Sequence, residues 1–128
     1  MTAIGVGIDL VDLERIRLLL ASKGEQAMTR FFSPGEREYL ATRPDPTGHA
    51  AARIAAKEAV YKAMQALPRA RGIGWREIEV SRDPDGRPAI RLHGLAAQLA
   101  EERGGLRIQI SLTHSATSAG AIAVVEAP

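Results

Sequence analysis

Three short segments carry residues whose types and spacing could do chemistry. The first is Gly5-Val6-Gly7-Ile8-Asp9. Read as a strand, it turns Ile4, Val6 and Ile8 to one face and Gly5, Gly7 and Asp9 to the other. The Asp9 carboxylate then shares its face with residues that have no side chain, and a ligand or a bulky partner could approach it there. The alternative is that Asp9 caps the helix that follows. A dinucleotide fingerprint does not fit, because Leu10 stands where the third glycine should be.

The second segment runs from Arg53 through Lys57, Glu58, Tyr61 and Lys62 to Ala63. At roughly 100° per residue, Ala52, Ala56, Ala59, Val60, Ala63 and Leu67 form an apolar stripe. Glu58 and Lys62 lie opposite it, one turn apart. They form either a solvated ion pair or part of a second contact surface, since Ile54 and Tyr61 share that side. Such a surface would face a ligand, a partner or another subunit. The third segment is Ser111-Leu112-Thr113-His114-Ser115. Serine and histidine this close along a strand do not make a hydrolytic triad, and no G-x-S-x-G elbow is present. His114 either donates to a phosphate or satisfies a local hydrogen bond.

The elements that must position these residues are legible in outline. Residues 4–8 read as a strand, and Asp9 or Asp12 can cap a helix reaching about residue 22, with Leu13, Ile16, Leu19 and Leu20 at helical spacing. Ser33-Pro34-Gly35-Glu36 is a helix start in which serine caps, proline takes the first position and glutamate closes a capping box. Pro44 and Pro46 keep that helix short. An alanine-rich helix covers about 49–67. Residues 75–81 and 88–92 read as strands joined by the turn Asp83-Pro84-Asp85-Gly86. A helix over 95–103 stops at Gly104-Gly105, and strands at 107–113 and 119–125 pair at the end. Helices and strands alternate without a βαβ rhythm. The expected architecture is α+β, one domain over residues 1–128, with a mainly antiparallel sheet packed on a long central helix.

Composition narrows the function classes. Seventeen basic and fifteen acidic residues leave a net charge of +2 over 128 residues, a modest basic excess compatible with an acidic or phosphate-bearing partner. Cysteine is absent, which excludes disulfides, thiol catalysis and thiolate zinc sites. Aromatic residues make up 4%, too few for a base-stacking platform, so nucleic acid is not an expected partner. No apolar run approaches the ~20 residues of a membrane span, and the first residues do not read as a signal peptide. The expectation is a cytoplasmic protein that does not bind membranes.

Taken together, Gly5-Val6-Gly7-Ile8-Asp9-Leu10-Val11 with Arg15-Ile16, Ala52-Arg53-Ile54-Ala55-Ala56-Lys57-Glu58-Ala59 with Lys62-Ala63, and Ser111-Leu112-Thr113-His114 resemble the holo-acyl-carrier-protein synthase family. These are the small bacterial 4′-phosphopantetheinyl transferases. Weaker matches at Phe32-Ser33-Pro34-Gly35-Glu36, Ile78-Glu79-Val80 and Gly86-Arg87-Pro88 fall in family order, so the resemblance covers nearly the whole chain. It implies Mg2+-dependent transfer of 4′-phosphopantetheine from coenzyme A to a serine of apo acyl carrier protein, leaving adenosine 3′,5′-bisphosphate. By the resemblance Asp9 and Glu58 hold Mg2+, and Lys62 lies beside the coenzyme A phosphates. Arg53 and His114 approach its phosphate groups. Arg15, helped by Arg17 and Lys23, docks the acidic carrier. The family works as a homotrimer with active sites between subunits. Three departures stand out. Ile54 replaces a commoner phenylalanine, residues 65–74 are longer and more basic than the usual glycine-rich turn, and Asp12 and Glu14 dilute the positive docking helix.

Overall fold

A computed structural model describes all residues from Met1 to Pro128. In chain order the elements are β1 (Thr2–Asp12), α1 (Leu13–Phe31), α2 (Pro34–Ala41), α3 (Thr47–Met64), β2 (Ile78–Arg82), β3 (Pro88–Leu92), α4 (Gly94–Glu102), β4 (Arg107–His114) and β5 (Ser118–Ala127). The strands β1, β5 and β4 form an antiparallel sheet in that order, and β2 and β3 form a separate antiparallel hairpin. The α+β architecture with a central helix is therefore the one the sequence implies. The helix is α3, which packs across β1 and β5 and touches α1, β2 and β4 as well.

The contact between α3 and the sheet is built from residues with little or no side chain. Gly5, Gly7 and Asp9 on β1 lie opposite Val125, Ala123 and Ala121 on β5. Ala55, Ala56, Ala59 and Ala63 of α3 are all buried, as are Ala121 and Ala123. A Cβ placed on Gly5 would overlap the carbonyl oxygen of Ala63, and one on Gly7 the carbonyl oxygen of Ala59. The open glycine face is thus occupied by the chain's own helix backbone. It is not available to a ligand or a partner, which is where the sequence reading placed one. The small residues let α3 sit closer to the strands than any larger set would allow.

The second side of α3 is also largely covered from within. Ile54 is buried in the core, and the Tyr61 hydroxyl donates to the Arg71 carbonyl at 3.2 Å. Lys57 is buried too. Its ammonium lies 2.6 Å from Glu36 Oε1 and donates to the carbonyls of Trp75 at 2.8 Å and Ile78 at 2.6 Å. The capping box of α2 is present with both arms, Ser33 N donating to Glu36 Oε1 and Glu36 N to Ser33 Oγ. Glu36 Oε2 accepts from Val80 N at 2.9 Å. One carboxylate therefore ties the start of α2, the strand β2 and the middle of α3.

Several boundaries differ from the sequence reading for physical reasons. Residues 75–77 form a 3₁₀ turn and not the start of β2, because Lys57 takes the Trp75 and Ile78 carbonyls and Glu77 Oε1 accepts from Gly74 N. The first helical element is two helices meeting at a kink: Gly24, at φ 44° and ψ −119°, is non-helical, so the first helix ends close to the expected residue 22 and a second one reaches Phe31. β1 runs on to Asp12, which occupies the N-cap position of α1 but makes no side-chain cap bond.

Gly7→Ala is expected to cost about 3 kcal/mol or more, the upper end for forcing an atom into a packed core, and to lower the thermal midpoint accordingly. Gly48→Ala in α3, where a new methyl meets nothing within 4 Å, should raise stability by up to about 1 kcal/mol. A Gly7→Ala chain that melts with the parent would show that α3 does not rest on β1.

Candidate active site

Asp9 is the residue that follows Gly7 on the inner face of β1, so the close approach of α3 brings its carboxylate to the helix. Lys62 closes the gap. Its ammonium donates to Asp9 Oδ1 at 3.1 Å and to the Ile8 carbonyl at 2.9 Å. Asp9 is therefore engaged by Lys62 and does not serve as a helix cap. Glu58, one turn before Lys62, lines the same cleft of about 370 Å³ as Asp9 and Arg15, with Ile54 and Trp75 among its apolar walls. Burial pushes the Glu58 carboxyl above its ordinary value, the nearby Asp9 charge pushes it further, and Lys62 and Arg15 pull it partly back. The two carboxylates thus interact as like charges in a partly desolvated site.

Such a pair is suited to a hard divalent cation. No third histidine or acidic side chain joins Asp9 and Glu58 in a metal-holding group. That donor set fits Mg2+, which takes one or two carboxylates and fills its remaining positions with water and substrate phosphate. A slot of about 230 Å³ opens on the other side of Glu58, lined by Tyr61, Ile73, Gly74, Trp75 and Ile78. The end of the 65–74 segment therefore reaches the site. Trp75 is fixed there by the edge of the Phe31 ring, 5.0 Å between centroids.

Arg53 and His114 are elsewhere. Both line a second cleft of about 570 Å³, together with Arg17, His49 and Arg82. Arg53 lies on the same helix as Glu58 but on a different face, and its Nη1 donates to the His49 carbonyl at 3.2 Å. Within one chain the structure brings Asp9, Glu58, Lys62 and Arg15 together, and it groups Arg53 with His114 apart from them. On α1, Arg17 is paired with Glu14, while Arg15 faces the Asp9–Glu58 cleft.

Sequence reasoning missed Lys57, Tyr39, Arg43 and Arg82. For Lys57 a signal exists: it falls in the i, i+3, i+7, i+10, i+14 series Ala50, Arg53, Lys57, Val60, Met64, all buried. Tyr39 and Arg43 are one helical turn apart, but Arg82 comes from a separate element and shares no local spacing with them.

Comparison with known proteins identifies the family. Residues 5–120 match the family model of the 4′-phosphopantetheinyl transferase superfamily. The holo-[acyl-carrier-protein] synthase of Syntrophus aciditrophicus is 42% identical over 122 residues, 95% of this chain and 94% of the relative. That of Rhodopirellula baltica is 41% identical over 125 residues, 98% of both chains. Among solved structures, the holo-[acyl-carrier-protein] synthase of Neisseria meningitidis superposes with a TM-score of 0.83 at 28% identity, covering 98% of this chain and 99% of that one. The synthase of Chronobacterium ammoniagenes in complex with coenzyme A does so with a TM-score of 0.81 at 33% identity over 97% of each chain. The chain belongs to the 4′-phosphopantetheinyl transferase superfamily, within its holo-acyl-carrier-protein synthase family, and is a transferase.

The Glu58 carboxyl is harder to ionise in the folded chain than in the unfolded one. The stability it contributes is present at acid pH and lost as pH rises through the carboxylate range. Glu58→Gln is therefore expected to melt above the parent at pH 7 in a chelator, with the gap closing toward pH 4. Equal or lower melting at pH 7 would show that Glu58 carries no such penalty.

Proposed function

We propose that the chain transfers 4′-phosphopantetheine from coenzyme A to a serine of apo acyl carrier protein, with Mg2+ held by Asp9 and Glu58. The observation that carries this reading is the meeting of Asp9, Glu58 and Lys62 across the contact of β1 with α3. It is supported by family membership and by the coenzyme A complex of the Chronobacterium relative.

When bound, Mg2+ would neutralise charge on the diphosphate of coenzyme A. Lys62 adds a second positive charge beside the same phosphates. The carrier's serine hydroxyl attacks the β-phosphorus. A bond forms between the serine oxygen and that phosphorus, and the anhydride bond to the α-phosphate breaks. The arm leaves as a phosphodiester on the carrier, and adenosine 3′,5′-bisphosphate departs. The serine proton passes to Glu58 directly or through water. Arg15, at the rim of the cleft, meets the acidic carrier as its serine enters. Arg53 and His114 receive phosphate groups of coenzyme A in their own cleft.

The chain acts as a homotrimer with active sites between subunits. Val6, Ile8 and Leu10 on the outer face of β1 are 63%, 67% and 74% exposed, and Ile122 beside them on β5 is 42% exposed. Ile8 pairs with Ile122 and Val6 with Val124, so the apolar residues form one continuous patch of the kind that marks an interface. Sites shared between subunits also account for the separation of the Arg53–His114 cleft from the Asp9–Glu58 cleft within one chain. A cytoplasmic location follows from these substrates.

Incubating an apo carrier protein with coenzyme A, Mg2+ and the chain should add about 340 Da to the carrier, the mass of the phosphodiester-linked arm. Glu58→Gln should slow this by on the order of a thousandfold while folding as the parent does. No mass gain on any apo carrier, or a near-normal rate in Glu58→Gln, would overturn the reading. Light scattering should give three subunits for the parent and one for Ile8→Asp. A fully active monomeric parent would contradict the trimer.

A further inference from the structure

Away from the Asp9–Glu58 cleft, positive charge gathers most densely around one tyrosine. Tyr39 sits near the end of α2, and three guanidiniums from three different elements rest on its ring. Arg53 of α3 lies 4.2 Å from the ring centroid, Arg43 of the following loop 4.7 Å, and Arg82 at the end of β2 5.5 Å. The His49 ring meets it edge-on at 5.6 Å, and Arg82 Nη2 reaches its hydroxyl at 3.5 Å. Burial, and then the same three arginines, hold His49 below its ordinary pKa.

None of these three arginines makes an ion pair; the six pairs in the chain involve other cations. Asp45, the one acidic residue lining the adjoining cleft, accepts instead from Thr47 N. Arg53 is only 6% exposed, yet its Nε has no hydrogen-bond partner. A buried, unpaired cation is costly, and two like charges beside it raise that cost. Attraction to the ring face offsets part of this repulsion. The remainder calls for a multiply charged anion, and planar guanidinium forks match phosphate oxygens.

The proposed reaction fills the Asp9–Glu58 cleft with the diphosphate of coenzyme A. The anionic group left to place is the 3′-phosphate, a monoester carrying about two negative charges near neutral pH. We propose that Tyr39 is a positioning residue whose ring holds Arg43, Arg53 and Arg82 together for the 3′-phosphate of coenzyme A. This rests on the reading that coenzyme A is the donor. The ring acts as a spacer: it keeps three mutually repelling cations at fixed separation before the phosphate arrives, so the phosphate meets an arranged site. Without the ring the arginines disperse toward solvent, and the preference for a donor that carries the 3′-phosphate falls.

The test compares coenzyme A with 3′-dephospho-coenzyme A as donors to an apo carrier, for the parent, Tyr39→Leu, Tyr39→Phe and Arg82→Gln. The parent is expected to have the lower KM for coenzyme A. Tyr39→Leu should raise that KM by about tenfold or more, the loss of roughly one charged hydrogen bond, while its KM for the dephospho donor does not follow. Tyr39→Phe, which keeps the ring, should retain the parent's preference. Arg82→Gln should lose much of it, and this arm decides the matter if Tyr39→Leu does not fold. An unchanged KM ratio in both Tyr39→Leu and Arg82→Gln would overturn the role of Tyr39 and leave the transfer reaction standing. A parent that transfers equally from both donors would overturn the assignment of the 3′-phosphate to this cleft. Transfer from neither would overturn the reading of the reaction itself.

Discussion

The site depends on how closely one helix backbone can approach one strand. Gly5 and Gly7 leave their face of β1 bare, and α3 presents alanines to it, so the carbonyls of Ala59 and Ala63 lie where side chains would otherwise be. Asp9 is the next residue on that face and Glu58 and Lys62 are carried by that helix, so the spacing that permits packing also sets the distance between the carboxylates and the ammonium. A methyl group on either glycine would push the helix away and open the site. In this fold the packing constraint and the chemical constraint are one contact.

A helix seated this deeply needs fixing along its axis and about it, and the buried Lys57–Glu36 pair does so. Lys57 uses all three of its protons on Glu36 and on the Trp75 and Ile78 carbonyls, which places Trp75 and Ile78 around the slot beside Glu58. Such a pair adds little net stability over an apolar replacement, but losing one partner strands a buried charge. Its value here lies in register: α2, α3 and β2 are bound to a single carboxylate. The neighbouring residues Lys57 and Glu58 thus divide the work of the helix, one holding it in place and the other facing the cleft.

Much of this was legible in the sequence where local chemistry decides the outcome. The alternation from Ile4 to Asp9 gives the strand and its faces, Ser33 and Glu36 give a helix start with both arms of its cap, and Asp83 to Gly86 gives a turn. Legibility failed where distant residues decide. A bare glycine face says that something comes close but not what, and here it is α3. Residues 75–77 have the composition of a strand, yet Lys57 from eighteen residues upstream takes the Trp75 carbonyl and the segment coils. The helix expected to reach about residue 22 does break at Gly24, but the second helical stretch that follows it, with Met28 and Phe31 packed on the core, was not expected. Arg43 follows Tyr39 by one helical turn, but Arg53 and Arg82 come from α3 and β2, so no spacing along the chain announces the whole cluster. The pairing of Asp9 with Glu58 was implied by family resemblance and not by any pattern in the residues.

In the proposed reaction the Asp9–Glu58 pair is a single cation site, with neither carboxylate sufficient alone. Titration of the isolated chain with Mn2+, followed by electron paramagnetic resonance, tests this without any substrate. One ion per subunit is predicted for the parent. Asp9→Asn and Glu58→Gln should each weaken binding by about tenfold or more, and the double variant should be little worse than either, because residues that act as a unit are not additive. Binding that survives unchanged in either single variant would contradict the account.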